Sequence, residues 1–127
     1  MTLFEECKEA LKEDFHIVED EQKAIEILQT FPIPYDYIMW SELSYKDYDR
    51  MEDIVNDLSI LSNKSLYVLA DNADVPVFRS NLKVIMENIY DVSALSPKVF
   101  IFNQEVIIEP LFPSDNLRVG LKNELPK

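Results

Sequence analysis

Apolar residues near the start of the chain recur at helical spacing. Thr2-Leu3-Phe4-Glu5 has the form of a capping box, with Thr2 as cap and Glu5 returning a bond. Leu3, Phe4, Cys7 and Leu11 then mark one face, and Glu5, Glu6, Glu9 and Glu13 the other. Phe15–Val18 reads as a short strand. Asp20 opens a second helix with Ala24, Ile25, Leu28 and Phe31 as its apolar face, stopped by Pro32 and Pro34. Tyr35–Ser41, rich in aromatic and β-branched residues, predicts a strand with Tyr35, Tyr37 and Met39 on one side and Asp36, Ile38 and Trp40 on the other. Ser44 with Asp47 then opens a third helix, whose apolar stripe is Met51, Ile54, Val55, Leu58 and Leu61.

The second half changes period. Ser65–Ala70 is a continuous apolar strand, Asp71–Asp74 a turn, and Val75–Arg79 the return strand of a hairpin. Ser80 caps a fourth helix with Leu82, Ile85, Met86, Ile89 and Tyr90 on one face. Val99–Phe102 and Val106–Glu109 flank a tight Asn103-Gln104-Glu105 connection, and Leu117–Leu121 adds a last strand. Helices come early and hairpins late, without the strict alternation of a doubly wound sheet. The expectation is a single α+β domain over 1–127, a mixed, mostly antiparallel sheet with about four helices packed on it.

Composition removes most catalytic classes. One glycine in 127 residues leaves no room for a P-loop, a dinucleotide fingerprint or a nucleophile elbow, each of which needs several. One cysteine, Cys7, allows no internal disulfide and no cysteine zinc cage, and one histidine, His16, allows no histidine-pair metal site. Cys7 reads as a small core residue and His16 as structural. Asp71-Asn72-Ala73-Asp74 begins like a calcium loop, but it lacks Gly at the sixth position and has Leu82 where the bidentate Glu belongs. No nucleophile–base set with an orienting third group is visible. The expectation is a protein with no catalytic residues, no cofactor and no metal.

The charge is the strongest remaining signal. The chain carries −12 in total, and residues 1–57 hold 16 acids and 5 bases, a net of −11. Such a charge repels phosphate backbones, so direct nucleic-acid binding is not expected. The N-terminus lacks the basic start and apolar run of a signal peptide, and no apolar run reaches membrane-spanning length. A cytoplasmic protein without a membrane partner is expected. On the third helix, Asp49, Glu52, Asp53 and Asp57 fall within an arc of about 140° opposite the apolar stripe. Like charges at this density destabilise a compact state, whereas an acidic surface speeds association with a basic partner. Overlapping it, residues 31–48 contain Phe31, Tyr35, Tyr37, Trp40, Tyr45 and Tyr48 interleaved with Asp36, Glu42 and Asp47. Tyrosine and tryptophan concentrate binding energy at interfaces.

A small, strongly acidic chain bearing Tyr and Trp resembles the immunity proteins of bacterial toxin systems, including contact-dependent growth inhibition. The resemblance rests on the acidic third helix, the aromatic–acidic stretch from Tyr35 to Asp49, and the Val99–Phe102 and Val106–Glu109 pair. It is compositional and assigns no residue a role by position. It implies a protein that binds a cognate, basic, nuclease-type toxin and fills its active site with carboxylates. The candidate contact surface is Asp36, Tyr37, Trp40, Tyr45, Tyr48, Asp49, Glu52, Asp53 and Asp57. The alternatives are an acidic adaptor or nucleic-acid mimic that binds a basic host protein, and a small hydrolase using carboxylates, which would need a polar cleft.

Overall fold

Val99–Phe102 is apolar at every position because it is the middle strand of the sheet and is buried on both faces. The computed structural model describes residues 2–34, 37–61, 63–111 and 114–122. Within them the strands are β1 (His16–Ile17), β2 (Ser44–Tyr48), β3 (Ser65–Ala70), β4 (Phe78–Asn81), β5 (Val99–Phe102), β6 (Val106–Pro110) and β7 (Leu117–Leu121). They form one sheet in the order β1-β4-β3-β5-β6-β7-β2, with every neighbouring pair antiparallel. The helices are α1 (Leu3–Ala10), α2 (Glu21–Leu28), α3 (Met51–Asp57), α4 (Leu82–Glu87) and α5 (Ile89–Ser93). The architecture is the expected α+β domain.

The sheet separates two apolar layers. One face carries Leu66, Val68, Phe78, Ile101, Val106, Ile108 and Val119, packed against Cys7, Ile54, Leu82, Ile85 and Val92 of the helices α1, α3, α4 and α5. The other carries Val77, Phe100, Phe102 and Ile107, covered by Ala24 and Ile27 of α2 and by Phe31 and Ile38. Burying a side chain of this size contributes about 1.5–3 kcal/mol. At the far edge, Phe78 stacks on Phe15 at 5.0 Å, and Phe4 of α1 lies 6.1 Å from it, which holds the N-terminus on the sheet.

Local chemistry starts the helices. The Thr2 hydroxyl accepts from Glu5 N–H at 3.1 Å, and Asp20 accepts from Lys23 N–H at 3.1 Å, both as the sequence predicts. At α4 the cap is Asn81, which accepts from Val84 N–H at 2.8 Å, not Ser80. Ser80 belongs to β4 and points into the core, so the return strand runs Phe78–Asn81, later than the expected Val75–Arg79. The tight connection expected at Asn103-Gln104-Glu105 is present, and the Asn103 side chain closes it by accepting from both Glu105 and Val106 N–H.

Three expected elements differ in the structure. Residues 37–41 are not a strand; Tyr35 and Asp36, the start of that prediction, lie outside the described residues. Met39 N–H bonds back to the Pro32 carbonyl at 2.8 Å, which folds the segment into a loop across the sheet, ending in a 3-10 turn at Trp40–Glu42. The aromatic strand is instead Ser44–Tyr48, where the third helix was expected to open. Pairing with β7 along its whole length outweighs the capping signal of Ser44, and α3 begins at Met51. The fourth helix is likewise broken at Asn88, whose backbone is not helical (φ −127, ψ 32) and whose amide bonds to the Val84 carbonyl. The break turns Tyr90 out of the apolar face assigned to it, to 71% exposure.

Candidate functional site: the β2 edge and the acidic helix

Edge strand β2 divides the predicted contact residues between the two faces of the sheet, because successive side chains of a strand alternate. Tyr45 and Asp47 point to the α2 side, and Lys46 and Tyr48 to the α3 side. On the α2 side, the Arg118 guanidinium from β7 binds Asp47 through two hydrogen bonds, at 2.6 and 2.9 Å. The same guanidinium lies 4.8 Å from the Tyr45 ring and 5.6 Å from the Trp40 ring, and the two rings are 5.8 Å apart. Arg118 thus holds the carboxyl of Asp47 below its ordinary range, and Asp47 in turn raises Arg118 further. Tyr45 is 49% exposed and Tyr37, in the preceding loop, 50%.

On the α3 side, Tyr48 is a core residue, with its ring buried and its hydroxyl donating to Asp57 Oδ2 at 2.7 Å. Burial, then Asp57, pushes the Tyr48 phenol up. The hydrogen bond from Tyr48 and the ammonium of Lys46, 3.4 Å away, hold Asp57 down. Asp57 therefore fastens α3 to β2 as well as presenting charge. Asp49, Glu52 and Asp53 are exposed, with Glu52 3.8 Å from Arg50. The structure brings Trp40 and Tyr45 together on one side of β2. Of the four acids expected on one helical face, Glu52, Asp53 and Asp57 lie on α3, but Asp49 precedes the helix, because pairing of β2 with β7 delays its start to Met51.

A groove of about 690 Å³ runs beside this acidic helix, between α3 and the broken α4–α5 pair. Met51, Val55, Met86, Ile89 and Tyr90 supply its apolar lining, and Asp49 and Glu52 lie on its rim. Tyr90 was missed by the sequence reading because a continuous helix would have buried it. The one signal was Asn88, whose short amide competes for the backbone within a helix.

The groups with chemical potential elsewhere are quiet. Cys7 is buried, and burial, with a smaller contribution from Asp91, pushes its thiol up to about 12. His16 is exposed, with Nε2 3.0 Å from Asp14 Oδ1. Among the described residues no three His, Cys, Asp or Glu side chains stand close enough to share a metal ion, and no helix is long and apolar enough to cross a membrane.

Glu109 is half-buried on β6, near the Trp40 indole. Burial outweighs Lys98 and Arg118 and raises its carboxyl above the ordinary 4.5. Between that value and its raised folded value, the folded protein binds more protons than the unfolded chain, so stability falls as pH rises through this window. Glu109→Gln keeps the size and shape of the side chain and removes the charge. It is expected to melt higher than wild type at pH 7, with the difference vanishing below 4.5; thermal scans across pH check this.

No curated protein matches the chain. A family model described as CdiI immunity protein, EcoliA0-like, matches residues 1–120, from the first helix into the last strand. With the match covering nearly the whole domain, the chain belongs to the CdiI immunity protein family, EcoliA0-like, and is an immunity protein of a contact-dependent growth inhibition toxin system.

Proposed function

We propose that the cognate toxin is a basic, nuclease-type protein, and that this immunity protein covers its active site with the surface built on β2 and α3. Asp49, Glu52, Asp53 and Asp57 supply the charge. Tyr45, Trp40 and Tyr37, with Asp36 beside them in sequence, supply the anchors, and Tyr48 acts from beneath by holding Asp57. The protein acts in the cytoplasm by occlusion, with no chemistry of its own.

The observation that carries this reading is the crowding of exposed carboxylates on α3 beside an edge strand bearing exposed tyrosine, in the half of the chain that holds −11 of the −12 charge. A nuclease site binds phosphates and is therefore cationic. Carboxylates that meet such a site steer the encounter and, once buried against Lys or Arg, slow its reversal.

The experiment is to purify the C-terminal toxin domain encoded beside the gene and to titrate its activity on RNA and DNA with this protein. Cleavage is expected to fall linearly and to end at one equivalent. A toxin domain that cleaves neither nucleic acid contradicts the nuclease assignment. Cleavage that continues in a complex of the two proteins contradicts coverage of the active site.

A further inference from the structure

The groove between α3 and α5 has a composition that the acidic-face reading does not use. Its lining is apolar, yet four carboxylates stand around it: Asp49, Glu52, Glu87 and Asp115. Two have cations at hand, since Arg50 lies 3.8 Å from Glu52 and Lys83 3.7 Å from Glu87. Asp49 and Asp115 have no ion pair or side-chain hydrogen bond among the described residues. Between this groove and a second hollow of about 250 Å³ stands Tyr90, which lines both and is 71% exposed. An exposed tyrosine between two hollows presents an apolar ring face as well as a hydroxyl, the form that anchors protein interfaces.

The geometry points to this groove as the seat of a segment of the cognate toxin that carries a Lys or Arg beside an apolar side chain. An anionic segment is opposed by Asp49 and Asp115. A wholly apolar segment would strip water from those two carboxylates and leave them unpaired. A cation flanked by apolar surface pairs the carboxylates, meets the Tyr90 ring and fills the lining of Met51, Val55 and Met86. The inference rests on the toxin-binding reading above and extends the contact surface from α3 across to α5 and the β6–β7 connection.

The test uses the purified toxin domain encoded beside the gene as probe, with three variants of the full chain. Tyr90→Ala is expected to raise the dissociation rate about tenfold or more, with melting temperature unchanged because the side chain is largely exposed. Asp115→Lys is expected to slow association. Asp53→Lys, whose carboxylate lies outside the groove, reports on the acidic face alone. If Tyr90→Ala and Asp115→Lys both bind as wild type while Asp53→Lys is slowed, the groove assignment is overturned and the acidic face stands. If all three bind as wild type, both fall. If sedimentation shows a dimer of the free protein that Tyr90→Ala dissolves, the groove's occupant is a second copy and the inference is overturned.

Discussion

Gly120→Ala is expected to destabilise the protein by about 1–2 kcal/mol, although alanine in a strand would ordinarily be favoured. The chain's one glycine lies in β7, paired with Tyr45 on β2 and Ile107 on β6. A Cβ there would lie 2.7 Å from Trp40 Cζ3 and 3.1 Å from Leu43 Cδ1. The indole cannot easily retreat. It lies against the Arg118 guanidinium and the Tyr45 ring. A flat ring laid over a strand glycine covers the backbone that the missing side chain exposes. Adding a methyl overpacks the contact, at a cost of about 1–3 kcal/mol, partly offset by about 0.4–1 kcal/mol from the stiffer unfolded chain. For a domain of this size the net loss lowers the melting temperature by roughly 3–8 °C.

A double-mutant cycle isolates the cause. In a Trp40→Ala background the space above Gly120 is open, so Gly120→Ala is expected to be neutral or stabilising, a coupling of about 1 kcal/mol or more. A Gly120→Ala protein that melts with wild type would mean that Trp40 is not held where it lies. The Trp40–Tyr45–Arg118 arrangement beside β2 would then lose its basis.

Much of this fold is legible in the sequence where one face of an element is plainly apolar. The strands β3, β5, β6 and β7 and the helices α1 and α2 fall close to where their periods put them. The signals fail where tertiary pairing decides. Ser44 and Asp47 look like a helix start, yet pairing with β7 makes the segment a strand, and Asp47 serves Arg118 instead of a backbone N–H. The aromatic run around Trp40 has strand-like composition, but Trp40 is placed by the bare backbone of Gly120, eighty residues away in sequence, which no local window contains. The candidate site was partly legible for the same reason. Helical spacing put Asp49, Glu52, Asp53 and Asp57 on one helix; α3 carries the last three, while Asp49 precedes it because the strand pairing of β2 shifts the helix start. It could not show that Tyr48 lies in the core holding Asp57, nor that the break at Asn88 delivers Tyr90 to the surface.

The second large effect is kinetic. Glu52 and Asp53 are exposed in the first turn of α3, and replacing both with Lys takes the net charge from −12 to −8. The field they supply acts during encounter, before any contact forms. Its reach is about 10 Å at 0.1 M salt. The association rate of the Glu52→Lys/Asp53→Lys protein with the toxin domain is expected to fall about tenfold or more at low ionic strength. The deficit should narrow as salt is raised. Lysine in a first helical turn opposes the backbone dipole and costs about 0.3–1 kcal/mol per site. A Glu52→Gln/Asp53→Asn protein, which avoids that cost, should therefore show a smaller kinetic deficit in the same direction.

The most direct measurement of the central claim is stopped-flow association of the toxin domain with wild type and with Glu52→Lys/Asp53→Lys across a salt series. Recognition through an acidic β2–α3 surface predicts a steep salt dependence for wild type, and a slower, flatter one for the variant. Equal rates for the two proteins at low salt would contradict it, and would put the toxin on another part of the molecule.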